Sequence, residues 1–134
     1  MHYRMKKKMD EIKENIIKFI EDKVINHCFK HDVQGVPYCL RIEHFVVPTP
    51  YGDSEGNEMI DTTFMSKDYF EDDDKEFHNH CRELEMNLIC PIGTLNASSL
   101  DDFKSRFYKK WQEITEEEFL IRRDKAKERR VEGV

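Results

Sequence analysis

The chain reads as an α+β protein on three observations: a long amphipathic run at its N-terminus, a period-two run at Tyr38–Val47, and a second helical pattern after Leu100. The expected order is α-β-β-β-α-α in a single domain over 1–134. It comprises an N-terminal helix, a three-stranded antiparallel sheet and a C-terminal helix pair, with the helices on one sheet face.

The first helix follows from Met9, Ile12, Ile16, Phe19, Ile20 and Val24, which recur at three- and four-residue spacing with charged residues between them. Neither Gly nor Pro interrupts the run from about Met5 to about Phe29. Gly35 and Pro37 then close it. In the strand that follows, Tyr38, Leu40, Ile42, His44 and Val46 share one face, assigned to the core. Cys39, Arg41, Glu43, Phe45 and Val47 share the other, which the charges make partly wet. Pro48 and Pro50 remove two backbone donors, so pairing there is one-sided or finished.

Tyr51–Asn57 reads as a hairpin loop with Gly56 at positive φ. A calcium loop does not fit: counted from Asp53, the position that needs glycine holds Glu58. Glu58–Met65 alternates as a second strand, with Ile60, Thr62 and Phe64 on one face. Residues 67–80 read as a short helix or loop. A third strand is expected from about Arg82 to Cys90, ended by Pro91 and Gly93.

Ser98 or Ser99 caps the next helix, with an acid three residues on. Its stripe is Leu100, Phe103, Phe107, Trp111 and Ile114. Thr115-Glu116-Glu117-Glu118 is a second capping box, so a new helix starts there or the old one bends. Acids fill its first turn and bases the rest, as the macrodipole favours. Apolar residues nearly stop after Ile121, so 122–134 is expected to project or fray.

Composition narrows the function. The net charge is −6 with 37% charged residues. That balance opposes indiscriminate binding to nucleic acid or anionic membrane, because phosphate contacts need Lys and Arg. No apolar run approaches a membrane span, and the basic N-terminus lacks the apolar core of a signal peptide. Cys28, Cys39, Cys81 and Cys90 then read as reduced thiols of a cytoplasmic protein.

Three constellations carry chemistry. Asp68, Glu71, Asp72, Asp73, Asp74 and Glu76, interleaved with Tyr69, Phe70 and Phe77, form an acidic run. Like-charge blocks are commonly just solvated. With aromatic anchors, this one reads as a contact surface for a protein with a basic surface. His27, Cys28 and His31, with His78, His80 and Cys81, form two clusters that together could supply a tetrahedral zinc site. Without zinc, the cysteines are small buried hydrophobes and the histidines surface or satisfied polar groups. The basic C-terminal helix could meet phosphate, although Asp124, Glu128 and Glu132 partly neutralise it.

No nucleophile elbow, phosphate loop or cofactor motif is present in the sequence. The expected function is therefore non-enzymatic and cofactor-free. It is a small acidic inhibitor or regulator of another protein, such as a nucleic-acid-binding or virus/host defence protein, acting through the acidic segment and an exposed sheet face. The alternatives are a zinc-stabilised adaptor and a nucleic-acid binder.

Overall fold

A computed structural model of the chain describes residues 2–52, 58–72 and 89–132. Among the described residues the fold is α+β, with three helices and two antiparallel four-stranded sheets in place of the one three-stranded sheet expected. In chain order the elements are α1 (His2–Lys23), β1 (Cys28–Val33), β2 (Val36–Arg41), β3 (His44–Phe45), β4 (Thr49–Gly52), β5 (Glu58–Ser66), β6 (Tyr69–Glu71), β7 (Cys90–Ala97), α2 (Leu100–Lys110), β8 (Gln112–Ile114) and α3 (Glu116–Glu132).

Helix α1 stops six residues before the expected end. Asn26, at φ 66°, turns the chain, and Cys28 begins a strand. Asn tolerates this left-handed conformation better than most residues. Strands β1 and β2 then form a hairpin through Gln34 (φ 53°) and Gly35 (φ 86°), with Val33 opposite Val36. Positive φ at both central residues is the type I′ arrangement that matches strand twist.

The predicted strand at Tyr38–Val47 is two strands in two sheets. Ile42 still bonds to the start of β1, its amide donating to the His27 carbonyl at 3.1 Å. Glu43 already belongs to the other sheet, donating to the Met65 carbonyl at 3.2 Å. The chain crosses between sheets at that peptide. Sheet A runs β6-β2-β1-β8. Sheet B is centred on β5, with β3 and β4 on successive parts of one edge and β7 on the other.

Strand β5 matches its alternation closely, with Ile60, Thr62, Phe64 and Ser66 buried. Strands β4 and β5 pair antiparallel with Gly52 opposite Glu58, so Tyr51 and Gly52 are strand and not the start of the expected loop, whose remaining residues, Gly56 among them, lie outside the described residues. Strand β7 was hidden by its punctuation. Gly93 faces Phe64 and Pro91 faces Met65, so Ile92 is an extra residue in a bulge. Pro and Gly are tolerated at such a point. The expected third strand over 82–90 otherwise falls outside the described residues.

Helix α2 begins as predicted. The Ser99 hydroxyl accepts from the Asp102 amide at 3.1 Å, and the Asp102 carboxylate accepts from the Ser98 amide at 2.9 Å. Trp111 and β8 then separate α2 from α3, whose Thr115 hydroxyl caps it by accepting from the Glu118 amide at 3.0 Å.

The main core lies where α1, α2, the inner face of sheet B and one face of sheet A meet. Ile16, Ile20, Phe29, Leu40, Phe64 and Phe107 are among its buried members. Phe107 organises its aromatics, with Trp111 at 5.1 Å, Phe29 at 5.2 Å and Phe64 at 5.7 Å between ring centroids. These separations suit edge and tilted contacts.

The helices do not share one sheet face. Helix α3 lies across the opposite face of sheet A, where Cys28, Cys39, Phe70, Ile114, Phe119 and Ala126 form a second core. The face expected to be partly wet is therefore covered.

Candidate functional site

Two of the three described acids of the predicted contact segment, Asp68 and Asp72, belong to the attachment of α3. Arg122 donates to Asp72 at 2.5 Å and to Glu118 at 2.8 Å. Arg123 donates to both Asp68 oxygens at 3.0 and 3.2 Å. Arg41 lies 3.9 Å from Asp68 and 3.6 Å from Glu116, and its guanidinium sits over the Phe119 ring. Phe70 is fully buried, with its ring centroid 5.4 Å from that of Phe119, and Glu71 is 1% exposed.

The bases near the end of the sequence thus meet the acids of the middle. Their charges are matched within the molecule, and Phe70 and Glu71 are inside it. Tyr69 is half-buried against the main core. Asp73, Asp74, Glu76 and Phe77 lie outside the described residues. Helix α3 also stays on the sheet beyond Ile121, as the burial of Ala126 requires.

The first His/Cys cluster does not converge. On a helix, i, i+3 and i, i+4 neighbours would share a face. On a strand, Cys28 and His31 point to opposite faces. Cys28 is buried in the second core beneath α3. His31 Nδ1 lies 3.2 Å from the Lys110 carbonyl, and His27 Nδ1 lies 2.9 Å from the Glu113 carboxylate. Among the described residues, no three His, Cys, Asp or Glu side chains form a group able to hold a metal. His78, His80 and Cys81 lie outside them.

Burial raises the thiol pKa values of Cys28 and Cys39, that of Cys39 to about 12, with the Asp72 charge adding to the effect. Both are poor nucleophiles and poor metal ligands in that state. Of the basic C-terminal residues, Arg122 and Arg123 are occupied as described. No described helix is long and apolar enough to cross a membrane.

Among the described residues, no element covers the outer face of sheet B. By register, Tyr51 pairs with Met59, Thr49 with Asp61, Asp61 with Asn96, Thr63 with Thr94, and Met65 with His44. These residues project away from the core formed by Ile60, Phe64, Leu95 and Ala97. Val46, Val47 and Tyr51 on the neighbouring edge are 51%, 55% and 37% exposed.

The edge itself is irregular. Phe45 faces Phe64 and Thr49 faces Asp61, so three edge residues span what two residues of β5 span. This is a bulge at Val46–Pro48. Sequence reading placed Val46 in the core because it continued the Tyr38 parity across the peptide at which the chain changes sheets. The signal that pointed outward was two adjacent valines, breaking alternation, followed by Pro48.

Compared with family models, curated proteins and solved structures, the chain matches none.

Proposed function

We propose that the chain is a non-enzymatic protein-interaction module, a small acidic regulator that engages its partner with the outer face of sheet B. The observation that carries this reading is the number of exposed apolar side chains on one edge and face: Val46 and Val47 at the end of sheet B that holds Met65, and Tyr51 opposite Met59 at the other. Exposed apolar residues scattered singly need no explanation, whereas several on one face favour a binding surface. Asp61 sits among them and Glu58 at their end, and the chain carries a net charge of −6. A protein presenting apolar side chains ringed by Lys and Arg is the complementary partner. The bulge and the prolines of the edge disfavour strand addition, so the contact is made by side chains of the face.

The test begins with a photo-crosslinking residue in place of Tyr51, or of Glu14 on α1 as control, in the full chain expressed in its native host. The protein recovered from Tyr51 alone is then purified and titrated against the chain and its Met59→Lys and Asp61→Lys variants. Each variant is expected to weaken binding by about tenfold or more while circular dichroism is unchanged. Equal crosslinking from both positions, or unchanged affinity in both variants, removes the proposal.

A further inference from the structure

Two recesses meet at His31. Strand β8 begins at Gln112, opposite Lys30, so among the described residues the last part of β1 has no partner strand on that side. A groove of about 470 Å³ occupies the space, and Lys30, Lys109, Lys110, Tyr108 and Gln112 line it with Asp32. On the other side of His31 is a cleft of about 250 Å³, lined by Tyr38, Leu40, Tyr69, Pro91 and Ile92. The bulge that makes Ile92 supernumerary in β7 brings that residue to the cleft.

The two recesses differ in chemistry. The cleft is mostly apolar, while three lysines are among the residues that line the groove, in a chain whose net charge is −6. The helix macrodipole accounts for Lys109 and Lys110 in the last turn of α2. It does not account for Lys30, which comes from a strand. Among the described residues, none of the three is in an ion pair. The Lys110 ammonium rests over the Trp111 ring, 4.8 Å from its centroid, and 3.4 Å from the Thr94 carbonyl. Neither contact neutralises it.

His31 joins the two recesses. A carbonyl oxygen only accepts, so Nδ1 carries the proton that it donates to Lys110 O. In the neutral ring Nε2 is then left as an acceptor. Burial, which lowers the His31 pKa, favours that neutral form.

We propose that the cleft and groove together are a binding site for a small aromatic phosphate, with its ring in the cleft against Ile92 and its phosphate among Lys30, Lys109 and Lys110. The cleft volume suits one or two fused rings. A dianionic phosphate matches three cations offset by one acid better than a carboxylate does. His31 Nε2 accepts from a hydroxyl or amine of the ligand. This site is separate from the outer face of sheet B, and its test does not depend on that reading.

Trp111 is the only tryptophan, and it contacts both His31 and Lys110, with the His31 ring centroid at 5.5 Å. Its fluorescence therefore reports on the site. The full chain is titrated with phenyl phosphate, and separately with inorganic phosphate and with phenol. Phenyl phosphate is expected to give a saturable change with Kd below about 1 mM, each fragment binding at least about tenfold more weakly. Lys30→Gln with Lys109→Gln is expected to weaken phenyl phosphate about tenfold and leave phenol unchanged. Amide shift mapping on the unmodified chain is the second measurement, and shifts are expected at residues 30–33, 38–40 and 108–112. The proposal is overturned if phenyl phosphate gives no saturable response, if inorganic phosphate binds equally well, or if the shifts map elsewhere.

Discussion

Cys39 illustrates how burial reverses a residue's expected chemistry. It falls on the strand face that Arg41 and Glu43 mark as wet, yet α3 covers it and its thiol pKa is pushed up to about 12 by burial and the Asp72 charge. At pH 8 the thiol stays protonated. Cys28 and Cys39 are thus expected to resist alkylation in the native protein, with half-exposed Cys90 reacting first among the described cysteines, as peptide mapping after a short iodoacetamide pulse would show. His31 gives a pH dependence of known sign. Its pKa lies below 6.5 in the folded chain because burial disfavours the cation. The unfolded chain takes up the proton first as pH falls, so this contribution is present above pH 6.5 and is lost below it. Any advantage in Tm of the natural chain over His31→Gln should shrink between pH 7 and about pH 5. Gly93 is fixed by close approach. A Cβ there would sit 2.6 Å from Trp111 Cζ2 and 3.2 Å from Lys110 Nζ. Gly93→Ala is expected to cost about 1–3 kcal/mol in urea unfolding, since the indole is held by its packing.

At the scale of elements, α3 is held by one aromatic anchor and a row of ion pairs. Phe119 is fully buried, and Arg122 and Arg123 reach Asp72 and Asp68 on either side of β6. The Asp72 side chain is only 9% exposed, so removing Arg122 leaves a nearly buried carboxylate without its partner. Arg122→Ala is expected to destabilise the fold by about 2 kcal/mol, less than for a fully enclosed pair because Arg122 itself is partly solvated. Urea titration at pH 7 measures it. Neutralising Asp72 by mutation would likewise disturb the fold as well as any surface charge. Both C-terminal helix starts were legible, because Ser99 and Thr115 are caps whose chemistry is local. The end of α1 was not. Val24, Cys28 and Phe29 fit helical spacing as well as a turn followed by a strand, and only Asn26 marked the stop. The pairing of Asp68 and Asp72 with α3 was also invisible, because like charges adjacent in sequence suggest solvent until their distant partners are known. The exposed face was half legible, since alternation in Glu58–Met65 sets Met59 and Met65 opposite Ile60, Thr62 and Phe64, while the parity of Tyr38 carries Val46 inward.

Over the whole molecule, the described residues give sheet A an oily layer on each side and sheet B one on a single side. The sequence conveyed the α+β class, but not that a single peptide at Ile42–Glu43 divides the strands between two sheets. Nothing in the local pattern changes there; the division follows from where β5 and β6 pair. Removing α3 after Thr115 should uncover Cys28, Cys39 and Phe70 while leaving the main core intact. Such a truncation is expected to raise the reactivity of both thiols and to lose amide protection in β1 and β2 before β5, as hydrogen exchange would show. The pairing of β1 with β8 sets Cys28 opposite Ile114. During translation β1 must therefore wait for β8, which follows α2 in the chain. A ribosome that has emitted the chain only as far as α2 holds a sheet with a bare flank, and this is the interval in which a chaperone would be needed most.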